Sequence, residues 1–450
     1  MLPIKRLPTV LGMTLTTLLT VGVVQAIEPA RLAPADLTDR AVAVRVSLTV
    51  GGDLIVAPQS DPQPVRVEVM TEYLQTPGPG EGVLRRYEQG ALTVAKETRS
   101  TIDPTRGVVL AQLLGGRVEC RAERIAFSRS ELDLVEAPAD PLTTAGLFPT
   151  VKVAPGDRWT LEADTLGPLL KLDSVSVCEV TAVLTDLTAS HARFRMAGTV
   201  HGSVAGATTE IDLRGVGLID RQTRILTQLN LGLEERRAIG PASPGLDVAA
   251  KLSLRCEPLS TTEATEAVAA AAGNGTATSE VDGRFSPAGL VRIQSNDNAW
   301  ETLASRDWHL TAQTRKTLAL RAAEGQEPLA TMLLRTVASR HAKDLAAFTA
   351  EVQSQVEPEG GRLGAFEERI TPSGLTCFTV VVLGKAEGIP TEWHHYLLQE
   401  PLSSAPAVSA VTRIAESDRQ RFAEGDRLLI DALTLTPSEA TASHTGSSLR

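Results

Sequence analysis

The densest group of titratable side chains is Glu392-Trp393-His394-His395-Tyr396. A carboxylate beside two imidazoles has the ingredients for metal binding or proton transfer. Neighbouring side chains on a strand point to opposite faces, so His394 and His395 cannot reach one metal without a bulge. The simpler expectation is that Trp393 and Tyr396 pack while the histidines lie at an edge or surface.

Three further places could carry chemistry. His191 and His201, with Arg193 and Arg195 between them, share one face of a strand that could bind an anion. A solvated outer face, which needs no ligand, is the simpler expectation. Trp308-His309 could be a site, although such a Trp more often anchors the start of a core strand. Gly156-Asp157-Arg158-Trp159 reads as a turn with Asp157 and Arg158 available for a local salt bridge. Gly78, Gly80 and Gly82 lie in a hairpin loop without the Lys-Ser/Thr that a phosphate-cradling loop needs. No G-x-S-x-G, H-E-x-x-H, S-x-x-K or EF-hand pattern occurs. No catalytic residue, metal or cofactor is therefore expected, and the enzyme alternative is a hydrolase using His394 or His201.

The elements that must hold these residues follow from composition and period. The 450 residues are 42% hydrophobic and 22% charged, enough for two or three cores. Aromatics are only 3%, which leaves few platforms for stacking on bases. The formal net charge of -10 opposes nucleic acid and anionic surfaces at long range, while local basic patches remain open. Lys5 and Arg6, a Thr-interrupted apolar run, then Val24 and Ala26 read as a signal peptide cut between Ala26 and Ile27. With Pro8 and five threonines the run is marginal as a membrane span, so the expectation is an exported, periplasmic or extracellular protein with no stable span after cleavage. Four cysteines are too few for a disulfide scaffold, and none has metal-ligand spacing. A bridge between Cys178 and Cys256 and buried free thiols are equal alternatives.

After the signal peptide (1–26), period-two alternation dominates residues 27–256. Val42, Val44, Val46 and Leu48 oppose Arg45, Ser47 and Thr49; Ala192, Phe194 and Met196 oppose Arg193 and Arg195. At least eight such runs, with helical periodicity only around Leu161 to Leu172, predict a mostly antiparallel half-barrel, barrel or sandwich. The Ala/Thr-rich stretch 257–288 reads as a linker. In 289–436, strand-like runs surround a helix with Leu345, Phe348 and Val352 on one face, broken by Gly360, Gly361 and Gly364. Strands are expected over Leu375–Leu383, Glu392–Leu398 and Ala407–Ile414, and Ser417 with Gln420 predicts a capping box for a helix carrying Phe422, Leu429 and Leu433. Apolar side chains on both faces of the first of these strands predict that it is covered on each side. The tail, 437–450, has no apolar pattern and is expected to be disordered. The fold class is α+β.

Two resemblances follow. The strand order, the middle helix after "PLATMLLRTVAS", then "GIPTEWHHYLL" and "RFAEGDRLL", resembles the PsbP-like fold, an α/β/α arrangement around an antiparallel sheet. That implies a non-enzymatic accessory or binding role. By signal peptide, strand count and long amphipathic strands, the N-terminal part resembles the half-barrel of bacterial lipoprotein carriers (LolA-like), which implies an apolar concavity. The expectation is an exported binding or scaffolding protein of the envelope, its partner an apolar or lipid ligand or another envelope protein. A purely structural protein with two filled cores is the other alternative, and an open or filled N-terminal interior separates the two.

Overall fold

The computed structural model describes residues 28–102, 108–123, 125–260, 262–264, 266, 289–324, 327–338, 342, 344–400 and 406–436. The Ala26/Ile27 cleavage point, nearly all of the linker beyond Ser260 and the 437–450 tail lie outside the described residues. The chain is an α+β protein dominated by antiparallel sheets.

In the N-terminal unit, β1 (Ala30–Arg31) pairs with β8 (Lys152–Val153). One twelve-stranded sheet contains β2 (Val42–Ile55), β3 (Gln63–Pro77), β4 (Gly82–Val94), β5 (Glu97–Thr101), β6 (Val109–Leu114) and β7 (Arg117–Ala122). It continues with β9 (Arg158–Leu161), β10 (Ser174–Leu187), β11 (His191–Val204), β12 (Ala207–Asp220), β13 (Ile225–Arg237) and β14 (Gly245–Pro258). The order is β7-β6-β4-β3-β2-β14-β13-β12-β11-β10-β9, with β5 on β4. Nearly all neighbours in space are neighbours in sequence, and short hairpins suffice to build the sheet.

Alternation puts one apolar face inward. On β11, Ala192, Phe194 and Met196 are buried while Arg193 and Arg195 are exposed. Opposite Phe194 stands Gly217, where a Cβ would lie 2.3 Å from the aromatic ring, so the ring fills the space that the glycine leaves. The inner face is covered by α1 (Arg129–Val135), α2 (Ala163–Leu170) and the 3-10 turns Pro141–Thr143 and Ala145–Leu147. Leu132, Leu134, Leu147, Leu166 and Leu169 join Phe194, Leu229 and Leu254 in one core. Each fully buried side chain of this kind stabilises the fold by roughly 1.5–3 kcal/mol. Among the described residues the interior is thus filled through its centre.

The C-terminal unit has a small sheet of β15 (Leu290–Gln294), β16 (Trp300–Ser305) and β24 (Thr434–Leu435). Its main sheet comprises β17 (Trp308–Gln313), β18 (Thr317–Glu324), β19 (Glu327–Val337), β20 (Arg362–Ile370), β21 (Thr376–Ala386), β22 (Ile389–Gln399) and β23 (Ala407–Ala415). The order is β17-β18-β19-β23-β22-β21-β20. The helix α3 (Leu345–Val356) covers one face through Phe348 and Val352 against Phe378, Val380 and Val382. The small sheet, α4 (Arg419–Phe422) and α5 (Arg427–Asp431) cover the other. On β21, Cys377 packs toward the second layer and Phe378 toward α3, so this strand is covered on both sides as its composition predicts.

Two expectations are corrected here. The glycines after α3 do not lead straight to Leu375, because β20 lies between them; its exposed, irregular register with β21 hides the alternation. The helix expected from Ser417 is two short helices, interrupted at Ala423, whose φ of 48° is left-handed. No Ser417 capping box forms, but Phe422, Leu429 and Leu433 are buried as the apolar spacing predicts.

The two units are joined by more than the chain between them. Arg292 N donates to Phe127 O at 2.7 Å, extending a bridge between Ser128 and Arg292. Arg306 meets Glu136 at 2.6 Å and donates to Cys120 O, while Arg129 donates to the Arg306 and Trp308 carbonyls. Arg321 also donates to Pro241 O. The apolar cluster of the N-terminal unit continues through Val291 into Trp300 and Trp308.

Candidate functional site

Two places combine buried polar groups with defined geometry. The first grows from the alternation of β22. Glu392, His394 and Tyr396 face α4 and α5, while Trp393 and Leu397 pack on the α3 side. His394 Nε2 lies 2.8 Å from Glu392 Oε1, and Nδ1 lies 3.0 Å from Asp426 Oδ2. Tyr396 donates its hydroxyl to the same Asp426 oxygen at 2.9 Å. Trp308 Nε1 donates to Gly425 O and so holds the Asp426 turn against the sheet.

A ring with a carboxylate at each nitrogen is satisfied as an imidazolium donating twice. Burial disfavours the charged ring, but the hydrogen bond and charge of Asp426, then those of Glu392, outweigh it and hold His394 above its ordinary value. Burial alone would raise the Asp426 carboxyl; the His394 hydrogen bond and charge and the Tyr396 hydroxyl bring it below the usual range. His395, on the other face, has no such partner among the described residues, and burial together with the His394 charge lowers it to about 4. With a carboxylate at each ring nitrogen, His394 fastens the Asp426 turn to the sheet.

The second place is in the N-terminal unit. Arg85, fully buried, meets Asp140 with two parallel bonds of 2.6 and 2.7 Å. Its Nε donates to Gln75 Oε1 at 3.1 Å, and its guanidinium carbon lies 4.9 Å from the centre of the Tyr73 ring. Gln75 in turn donates to Leu37 O, and Asp140 Oδ1 accepts from Leu142 N. Asp140 caps the Pro141–Thr143 turn.

Leu37 and Leu142 both line a cavity of about 520 Å³. Phe148, Leu113 and Leu226 are among its other apolar lining residues, and Asp36, Glu81 and Arg224 add polar groups. Ala35 N donates to Arg224 O at 2.8 Å, strapping the 34–38 segment to the β12–β13 turn. One buried arginine is therefore linked to two of the lining segments. The volume lies within the range of small-molecule sites, which are apolar pockets with a few placed polar groups.

The sequence candidates fall as follows. His394 and His395 lie on opposite faces, as strand geometry requires. His191 and His201 lie on the outer face of β11, far from His394 in the topology, so no site unites His201 with His394. His191 contacts Asp186 at 3.1 Å. Trp308 anchors a core strand, stacked edge-on with Phe422. Asp157 accepts from Ala154 N and caps its turn; it makes no salt bridge with Arg158 among the described residues.

The Cys178–Cys256 bridge is corrected: both are free thiols, on β10 and β14 with β11, β12 and β13 between them. Cys178 Sγ donates to Leu161 O, and burial pushes Cys256 up to about 12. Among the described residues, no group of three or more His, Cys, Asp or Glu is placed to hold a metal, and no helix is long and apolar enough to cross a membrane. The Arg85 network went unread from sequence. Its one local signal was a charged residue at an inward position of β4, against Val83 and Tyr87 on the same face.

No family model and no curated protein matches the chain. Among solved structures, it is similar to a cyanobacterial PsbP from Synechocystis sp. PCC 6803, with 12% identity over 36% of this chain and 100% of that one, at a TM-score of 0.25. LpqN of Mycobacterium tuberculosis, titled as involved in cell envelope biogenesis, is 12% identical over 33% and 91%, at 0.24. Lipovitellin is 9% identical over 56% of this chain and 27% of that one, at 0.30. The β-rich architecture thus resembles several unrelated folds, and these scores assign no family.

Proposed function

We propose that the chain is an exported, non-enzymatic binding protein that takes a small amphipathic ligand in the cavity between Leu37 and Leu142. The observation that carries this reading is the buried Arg85 network, which is linked to two of the cavity's lining segments in an otherwise filled interior. Export is supported by the Lys5-Arg6 and Ala26 pattern, and a non-enzymatic role by the double engagement of His394. A PsbP-like C-terminal unit is consistent with its α/β/α layering. The filled centre of the sheet argues against a groove carrier of long lipids.

Isothermal titration with decanoate tests the reading. A single site is expected, with its alkyl chain on Leu142 and Phe148 and its carboxylate toward Arg224, which has no ion-pair partner among the described residues. Ala145→Trp, at the cavity lining, should abolish binding without unfolding the protein. Absence of binding by the unsubstituted protein favours the second reading, a structural envelope protein, which the filled interior also supports.

A further inference from the structure

The outer face of the β10–β14 region sorts its charges in an unusual way. Arg193 and Arg195 on β11, Arg214 on β12 and Lys251 and Arg255 on β14 are all exposed. None has a salt bridge among the described residues, whereas Arg236 on the same face lies near Glu210 and Asp212, and Arg45 meets Glu72. The acidic side chains Glu179, Asp212 and Glu234 occupy the adjoining cross-strand row. The register sets Arg195 opposite Val216 and Ala197 opposite Arg214, so the two arginines are diagonal neighbours across a strand pair. Like charges so placed repel, and a chain with a formal charge of -10 had carboxylates to spare for them.

Between these arginines lies a trough of about 440 Å³. Its lining is mainly apolar, with Val183 and Val216 at its sides, and Thr181 and Asn230 are the uncharged polar residues on its rim. Next to Arg214 stands Gly232, where an added Cβ would meet nothing closer than Arg214 O at 4.0 Å, so the surface is open at that point. Two guanidinium forks, a hydroxyl and an amide around an open depression form a donor set for a tetrahedral oxyanion.

We propose that this trough is an anion site for a phosphate group, bound between Arg195 and Arg214 with its organic remainder on Val183 and Val216. The site is independent of the Leu37–Leu142 cavity. A soluble phosphate ester and a lipid headgroup present the same chemistry, and the test separates them.

Inorganic phosphate is titrated calorimetrically at fixed ionic strength, and co-sedimentation is measured with phosphatidylglycerol vesicles against phosphatidylcholine vesicles. The unsubstituted protein should bind phosphate, and Arg195→Gln/Arg214→Gln should weaken that binding at least tenfold. Without phosphate the double variant should melt no lower than the unsubstituted protein, because repulsion is relieved. Arg236→Gln, on the same face but flanked by acids, should leave phosphate binding unchanged. Binding to phosphatidylglycerol vesicles that the double variant loses assigns the phosphate to a lipid; phosphate binding without vesicle binding assigns it to a soluble ester. Failure to bind either probe, or binding that survives the double substitution, overturns the proposal.

Discussion

Arg85 and Asp140, 55 residues apart in sequence, meet through two bonds of 2.6 and 2.7 Å in the buried interior of the N-terminal unit. The pair does more than neutralise two charges. Asp140 opens the turn that carries Leu142, and Arg85 reaches Leu37 through Gln75. Removing a buried pair entirely often costs little, whereas removing one partner leaves an uncompensated charge. The geometry therefore makes the pair a device for positioning walls.

Asp140→Ala should destabilise the protein by about 3–5 kcal/mol, since Arg85 would remain buried and unpaired. Arg85→Met/Asp140→Leu should recover most of that loss while losing decanoate binding, because the cavity walls are no longer oriented. Urea unfolding and calorimetry on the two variants check both parts. Equal destabilisation by the single and double changes would contradict the wall-positioning role.

The two histidines of β22 should give the C-terminal unit a stability maximum near neutrality. His394 is raised when folded, so its contribution is complete below about pH 6.5 and is lost as pH rises through the folded value. His395 is lowered to about 4, so stability is lost as pH falls from about 6.5 toward 4 while the unfolded chain takes up the proton. That shift corresponds to about 3 kcal/mol before solvent screening reduces it. Melting temperatures across this range should show His395→Gln flattening the acid limb and His394→Gln the alkaline limb. A profile unchanged by either substitution would refute the assignment.

The sequence made the strand framework legible because alternation is local. Val42 to Leu48, Ala192 to Met196 and Leu375 to Leu383 needed no knowledge of their neighbours. Coverage was harder to read, since whether the sheet encloses space depends on Leu134, Leu147 and Leu166 arriving from helices and turns elsewhere in the chain. The helix α1 was overlooked although Ser128 and Glu131 spell its capping box, because only seven residues follow the cap and they show little periodicity. The His394 cluster was half legible: the strand rule separated His394 from His395, but Asp426, 32 residues later, could be placed only by the fold.

Cys178 should differ in reactivity from the other cysteines. It is partly exposed, while Cys120, Cys256 and Cys377 are buried. Under native, non-reducing conditions a thiol reagent should modify Cys178 first, with the other three reacting after unfolding, as mass spectrometry would show. Recovery of a Cys178–Cys256 cross-linked peptide would contradict the free-thiol arrangement.

Loss of the His394 contacts should unfasten the α5 turn more than it affects the N-terminal unit. His394→Ala leaves Asp426 buried without its counter-charge while Glu392 keeps Arg419 at 3.4 Å, and a loss of about 3–5 kcal/mol is expected in the C-terminal unit. Tyr396→Phe, which removes a single bond to Asp426, should cost about 1–3 kcal/mol. Hydrogen exchange should place the increased opening in residues 419–433; uniform change across both units would argue against a local fastening.

Hydrogen–deuterium exchange of the unsubstituted protein with and without decanoate is the most direct measurement of the central claim. The cavity reading predicts protection confined to residues 34–38, 141–148 and 224–226, the segments that enclose the space held by Arg85. Protection spread along β2 and β3 and absent from those segments, or no protection at saturating decanoate, would contradict it.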